Sequence, residues 1–311
     1  MSEKAILFDT SRCTGCHACQ IACKCWNNLP SPTGLNENKF SGSHQNPPDI
    51  NGTTRLIMTY TENEATIATK RVNWAFGRRA CQHCTDAPCA SICPAGAIYI
   101  DEATGMVTTD DSKCVACQYC STACPFDVPR YDGVQGKINK CTGCVDRIEN
   151  GMAPACVTTC QPEALDFGDR DEMIAKAEER LANLKARGYE DACIYGVEEM
   201  GGLHVIQVLK YGVEAHGQVA NPQKSAVTTL TEIMKPVTGV VSGVTVLGLA
   251  AMFGLAAGYK RDKVVYNPET EDTVSLITGD VVQHGDPQDD KSVKEHITEN
   301  LPVGKKGGSH E

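Results

Sequence analysis

Residues 114–125 read Cys114-Val115-Ala116-Cys117-Gln118-Tyr119-Cys120-Ser121-Thr122-Ala123-Cys124-Pro125. Cysteines at i, i+3 and i+6 put three thiolates on three irons of one 4Fe-4S cube, and the fourth, ahead of proline, reaches the neighbouring cube of a paired ferredoxin. Three further groups share the plan: Cys13, Cys16, Cys19, Cys23; Cys81, Cys84, Cys89, Cys93; and Cys141, Cys144, Cys156, Cys160. The first repeats the run. The second widens the step from Cys84 to Cys89 and the fourth the step from Cys144 to Cys156, so each carries an insertion in its loop. Proline follows at Pro94, Pro125 and, displaced by one, Pro162. Sixteen of the 18 cysteines fall into these groups, which is what four 4Fe-4S clusters take at four ligands each. Cys25 and Cys193 fit no group and read as ordinary thiols.

Two blander readings of the cysteines fail on spacing and size. A disulfide framework suits short secreted chains, whereas this one has 311 residues and opens Met1-Ser2-Glu3-Lys4 with no signal peptide legible. Structural zinc takes two Cys-x-x-Cys knuckles on separate loops, and three ligands within seven residues crowd a single tetrahedral ion. Iron held through the same sixteen cysteines is the metal the pattern asks for. The chain has no Gly-rich phosphate loop, no Gly-x-Ser-x-Gly elbow and no His-Glu-x-x-His helix, so a redox carrier without catalytic residues of its own is expected. His17 and His83 stand inside cysteine loops; a partly exposed, hydrogen-bonded ring is the expectation for both. Arg78 and Arg79 precede the second group, either as a solvated surface pair or as cations close enough to raise a cluster's reduction potential.

Sequence order predicts the pairing of the groups. Between the second and third lie Ile98-Tyr99-Ile100, a turn at Thr104-Gly105, and Met106-Val107-Thr108-Thr109, the strand–turn–strand of a two-cluster ferredoxin. On that layout Cys81, Cys84, Cys89 and Cys124 hold one cluster, and Cys114, Cys117, Cys120 and Cys93 another. The outer groups then pair across the middle: Cys13, Cys16, Cys19 with Cys160, and Cys141, Cys144, Cys156 with Cys23. The expected fold class is α+β, with two ferredoxin-like double 4Fe-4S modules, one inserted in the other. Residues 1–75 and 137–168 form the outer module and 76–136 the inserted one.

Beyond the cysteines, residues 169–235 read as a helix–strand extension. Asp169 to Arg187 places Met173, Ala177, Leu181 and Leu184 on one face, with acids at its start, bases at its end and Gly188 beyond. Leu203 to Leu209 alternates as a strand. Residues 236–258 carry no charge over twenty-three positions, roughly 34 Å of helix, and are expected to cross a bilayer once. Small residues at Gly239, Gly243, Ala250, Gly254 and Gly258 suit close packing against another membrane helix. Lys260, Arg261 and Lys263 on one flank against Lys235 on the other put the tail in the cytoplasm and the cluster domain in the periplasm. Export without a signal of its own would need a partner bearing a twin-arginine signal. The acidic tail, 259–311, is expected to be flexible, and the loop from Asn28 to Arg55 has no motif that can be placed.

The four-group pattern resembles the iron-sulfur subunits of molybdopterin oxidoreductases. More narrowly, Cys156-Val157-Thr158-Thr159-Cys160, Phe167-Gly168, Leu184 to Glu190, Gly201-Gly202-Leu203-His204-Val205 and Lys235-Pro236 are similar to the beta subunit of membrane-bound respiratory formate dehydrogenase. The resemblance spans residues from about 5 to 258. It implies four 4Fe-4S clusters carrying electrons from a large catalytic subunit, where formate is oxidised at a molybdenum or tungsten pterin centre, to a membrane cytochrome b subunit that reduces quinone. The Cys13/Cys160 end would face the catalytic subunit and the Cys114 end the membrane. The expected setting is a hetero-oligomer in the cell inner membrane, single-pass in the lipid bilayer, with no nucleic-acid partner. Nitrate reductase partners carry tryptophan where Cys120 stands, so a full cube is expected here. The same wire could serve a nickel-iron hydrogenase or another molybdopterin reductase, and a membrane scaffold with structural clusters is a third reading.

Overall fold

The computed structural model describes residues 3–31, 42–63, 73–258 and 264–284. Two compact units are present, one up to Val237 and one from Thr238. The first is organised by a four-stranded mixed sheet. Its strand β1 (Lys4–Asp9) is an apolar run just ahead of Cys13. It pairs antiparallel with β8 (Leu165–Asp169), Ile6 facing Phe167, and parallel with β10 (Val205–Leu209), Ile6 facing Val205. β9 (Cys193–Tyr195) lies antiparallel along β10, which makes the order β8-β1-β10-β9.

Strand periodicity then divides the interior in two. Ala5, Leu7, Ile206 and Val208 face the long helix α6 (Arg170–Ala186) and pack with its Met173, Ala177 and Leu184. Ile6, Phe8, Leu165 and Val205 face the other way, into a core shared with buried cysteines of all four groups. α6 forms where the sequence predicts it, with Asp171 and Glu172 in its first turn, Lys185 in its last and Gly188 at φ 90° beyond.

Three hairpins link the cysteine groups in chain order. β2 (Ile57–Asn63) and β3 (Asn73–Arg79) run from the first to the second. β4 (Ile98–Ile100) and β5 (Val107–Thr109) form the predicted strand–turn–strand between the second and third. β6 (Arg130–Asp132) and β7 (Lys137–Asn139) lead to the fourth. Each group ends on a short helix: α1 (Ala18–Trp26), α2 (Pro88–Ser91), α3 (Tyr119–Ala123), and the pair α4 (Val145–Glu149) and α5 (Ala155–Thr158) that fills the insertion of the fourth.

The C-terminal helix α7 spans Ala226–Gly258, ten residues longer at its start than the uncharged run. Ser225 caps it, its Oγ accepting the Thr228 N–H at 3.3 Å. Glu232 lies in the added turns and pairs with Lys224, which also pairs with Asp86 at 2.7 Å. Among the described residues this is the one helix long and apolar enough to cross a membrane, over Ala226–Gly254. The tail departs from expectation: β11 (Val264–Asn267), β12 (Asp272–Ser275) and β13 (Val281–His284) form an antiparallel sheet. The Val and Thr residues of 264–284 favour strands, and Gly279 (φ 77°) turns the second hairpin, so the acidic composition of the tail hid a local β signal. The remainder of the tail, 285–311, lies outside the described residues.

Leu7 is wholly buried between sheet and helix, and no cysteine group depends on its face. Leu7→Ala is expected to cost about 2–5 kcal/mol by emptying that layer. Thermal melting should show the loss while the visible absorption of the clusters is retained; an unchanged melt would contradict this placement.

Candidate functional site: four interleaved thiol sets

All four cysteine loops turn at the same point. The residue before the second cysteine is left-handed in each: Gly15 (φ 66°), His83 (φ 52°), Ala116 (φ 57°) and Gly143 (φ 71°). Turns of this kind aim successive backbone N–H groups into the loop, a cradle for an anion. A Cβ on Gly15 would stand 2.7 Å from the Phe76 ring and 2.8 Å from that of Tyr60, so glycine is required there by space as well as by φ. Backbone N–H groups also reach sulfur directly: Ala97 to Cys93 at 3.3 Å and Leu165 to Cys160 at 3.2 Å.

The fourth cysteine of each loop lies near thiols of another loop. Cys13 feels the charges of Cys160 and Cys16, and Cys19 those of Cys13 and Cys160. Cys23 feels Cys141, Cys156 and Cys144. Cys84 feels Cys81, Cys89 and Cys124, and Cys120 feels Cys117, Cys93 and Cys114. Electrostatic influence also runs between groups, from Cys156 to Cys19, from Cys141 to Cys81 and from Cys120 to Cys89, which orders them in a row. The middle of the row is buried, Cys23, Cys141, Cys144 and Cys156 all being so, whereas Cys16 and Cys117 at its ends are exposed. Clefts open at the two ends, one framed by Cys13, Cys16, Cys19 and Cys160, the other by Cys93, Cys114, Cys117 and Cys120. Cys25 and Cys193 stand outside the row.

Among the described residues no three His, Cys, Asp or Glu side chains close around a single metal ion. Burial, with repulsion from set partners, lifts the thiols: Cys13, Cys120 and Cys124 to about 11, Cys19 and Cys144 to about 12, and Cys84 and Cys89 higher still. At neutral pH such thiols keep their protons until a cation displaces them.

Two buried cations lie within the row. β3 alternation turns Arg78 inward and Arg79 outward, where Arg79 pairs with Asp49 and Asp127. A solvated pair therefore describes Arg79 alone. Burial opposes the Arg78 charge, but Cys156, Cys141, Cys19 and Cys23 outweigh it and hold its pKa above the ordinary value. Lys140, a cation with no signal in the sequence beyond its place next to Cys141, donates its ammonium to the Val107 and Cys141 carbonyls at 2.6 and 2.8 Å. It lowers the thiols of Cys81, Cys89 and Cys124.

His83 is wholly buried, against the expectation of a partly exposed ring. Its Nδ1 accepts the Val107 N–H at 3.1 Å, which leaves the ring proton on Nε2, 3.4 Å from Cys141 Sγ. Burial and the charges of Lys140 and Arg78 push its pKa well below the usual value, so it is a neutral N–H donor to sulfur. His17 is half-buried; it bonds Gln20 at 3.0 Å and the Tyr60 hydroxyl at 2.6 Å.

Grouped cysteines on left-handed turns, with buried cations that have no carboxylate partner among the described residues, define an iron-sulfur protein with multiple 4Fe-4S clusters. A family model described as a 4Fe-4S dicluster domain matches residues 72–170. The formate dehydrogenase iron-sulfur subunit of Haemophilus influenzae is 37% identical over 276 residues, 88% of this chain and 83% of that one. The nitrate-inducible formate dehydrogenase iron-sulfur subunit of Escherichia coli is 36% identical over 81% of this chain and 82% of its own length. The formate dehydrogenase subunit beta of Megalodesulfovibrio gigas is 43% identical over 61% and 87%. The chain belongs to the family of formate dehydrogenase iron-sulfur subunits, and is an electron-transfer subunit within a hetero-oligomeric complex.

The raised thiols have a consequence for the metal-free chain. The folded state keeps protons that an unfolded thiol, near 9.0, gives up, so this contribution is intact below about pH 9 and lost as pH rises towards 11–12. After chelation of the iron, melting temperature should fall from pH 7 to pH 10, while the iron-loaded protein changes far less; parallel behaviour of the two forms would refute it.

Proposed function

We propose that this chain carries four 4Fe-4S clusters between a molybdopterin formate dehydrogenase catalytic subunit and a membrane cytochrome b subunit that reduces quinone. Cys13, Cys16, Cys19 and Cys160 hold the first cluster, Cys141, Cys144, Cys156 and Cys23 the second, Cys81, Cys84, Cys89 and Cys124 the third, and Cys114, Cys117, Cys120 and Cys93 the fourth. The observation that carries this reading is that the fourth cysteine of each loop lies near thiols of another loop, with Cys23, Cys141, Cys144 and Cys156 buried and Cys16 and Cys117 exposed. When bound, such clusters supply one-electron oxidation and reduction at fixed positions. The chain's own residues hold them, exclude water from the middle two and leave the outer two at the surface for partners.

The first set faces the catalytic subunit and the fourth the membrane. Supporting the second assignment, Ser225, Val227 and Thr231 at the start of α7 line a cavity with Ile92, Pro94 and Tyr119, which flank cysteines of the fourth set. The crossed sharing of fourth cysteines supports two ferredoxin-like modules, 76–136 nested between 1–75 and 137–168. The helix from residue 236 to 258 anchors the protein by a single pass in the inner membrane, with the clusters on the periplasmic side and the tail in the cytoplasm, as the flanking Lys260, Arg261 and Lys263 favour.

The names of the relatives above favour formate over other substrates. A subunit of the anaerobic dimethyl sulfoxide reductase of Haemophilus influenzae is 33% identical over 57% of this chain, so a different reductase partner is the second reading. Cys120→Ser in the intact complex is expected to lower formate-to-quinone turnover at least tenfold and formate-to-dye turnover at the catalytic subunit by less than half. Equal loss of both, with subunits dissociated, would favour a structural role for the clusters.

A further inference from the structure

Arg78 is 1% exposed, and the hairpin ladder fixes its place, opposite Met58 near the end of β3. Its Nη1 donates to the Cys81 carbonyl at 3.4 Å. Its Nε and Nη2 are buried and have no hydrogen-bond partner. No ion pair with a carboxylate involves it among the described residues. Leaving a buried guanidinium half-bonded costs several kcal/mol unless something accepts its protons and opposes its charge. The groups acting on it are thiols: Cys156 and Cys141 first, then Cys19 and Cys23. Three of these belong to the second set and one to the first. A cavity lined by Arg78, Gln82, His216 and Gln218 can give water to one N–H, but water supplies no counter-charge.

We propose that Arg78 sets the reduction potential of the cluster assigned to Cys23, Cys141, Cys144 and Cys156. Its Nε–H and Nη2–H donate to sulfur of that cluster, and its charge favours the form carrying the extra electron. Hydrogen bonds to cluster sulfur and local net charge are the protein's means of raising a cluster's potential. Lysine cannot replace arginine here in full, because an ammonium keeps the charge but lacks the planar fork anchored on the Cys81 carbonyl. Arg78 is thus a positioning and tuning residue that acts on the electron's resting place along the row. The inference rests on the ligand assignment above.

The test is a redox titration of the purified complex followed by electron paramagnetic resonance, with iron and acid-labile sulfide measured on each sample. Cys144→Ser identifies the signal of the second set as the one it alters or abolishes. In Arg78→Gln and Arg78→Met with full iron content, the midpoint of that signal should fall so that its reduced-to-oxidised ratio at a fixed potential drops about tenfold or more, 59 mV for a one-electron couple. The first-set signal should move less and the fourth-set signal not at all. Arg78→Lys should give an intermediate drop, about threefold. Full iron with every midpoint unmoved in the neutral variants overturns the proposal. Should both neutral variants lose iron, Arg78→Lys decides, and an unmoved second-set midpoint there overturns it. If Cys144→Ser instead leaves every cube signal intact, it is the ligand assignment that fails.

Discussion

On the assignment proposed above, sixteen thiols give up their protons inside a protein, and much of the structure answers to that requirement. Burial pushes thiols such as Cys19 and Cys144 up to about 12, so these keep their protons until iron displaces them, and the enclosed sets become anions away from water. Three neutralising devices recur. Left-handed turns before the second cysteine of each loop aim backbone N–H groups inward. Arg78 sits at the contact of the first and second sets and Lys140 at that of the second and third. Neutral His83 adds a fixed N–H towards Cys141. In most proteins a buried cation seeks a carboxylate; here the sulfur row takes that part.

The same requirement explains the crossed connectivity. A loop that held all four of its own cysteines on one cluster would be a bead on a flexible chain, with nothing to hold successive clusters at electron-transfer distance. On the assignment proposed above, sharing the fourth cysteine with a neighbour makes each pair of loops a single covalent frame once iron is bound. The outermost sharing, Cys13 with Cys160, would close a span of nearly 150 residues, and the sheet supports it. β1 ends just before Cys13 and β8 begins just after Cys160, and their antiparallel pairing brings the first and last loops together. α6 then covers the sheet on the side away from the cysteines.

How much of this could be read from residues alone depended on sequence range. The cysteine spacing, the hairpin 98–109, the helix from 170 and the apolar C-terminal run are local patterns, and each was legible. The sheet joining β1, β8 and β10 was not: it pairs Ile6 with Phe167 and with Val205, partners that only the closed fold brings together. Arg78 and Arg79 look identical in sequence, and only the placement of β3 sends one into the sulfur row and the other to Asp49. Histidine in a loop suggests exposure, yet His83 is buried because its loop lies beneath Leu203 and His204, whose N–H bonds the His83 carbonyl. The helix runs ten residues ahead of the uncharged stretch, because Glu232 and Lys235 interrupt apolarity without interrupting the helix.

Burial along the row follows from what a conductor of electrons must do at each point. In the middle, water would raise the reorganisation accompanying each transfer and open the clusters to oxidants, and there the thiols are enclosed. At the ends the path must come near another protein, and exposed Cys16 and Cys117 bring sulfur to the surface. Arg78 lies near thiols of the first and second sets assigned above and Lys140 near those of the second and third, so the enclosed thiols, which lose most solvation, receive charge compensation from the protein itself. The outer sets keep water on one face and need less. If Arg78 acts as proposed, it and Lys140 make the enclosed clusters easier to reduce than burial alone would leave them, which favours passage in single file.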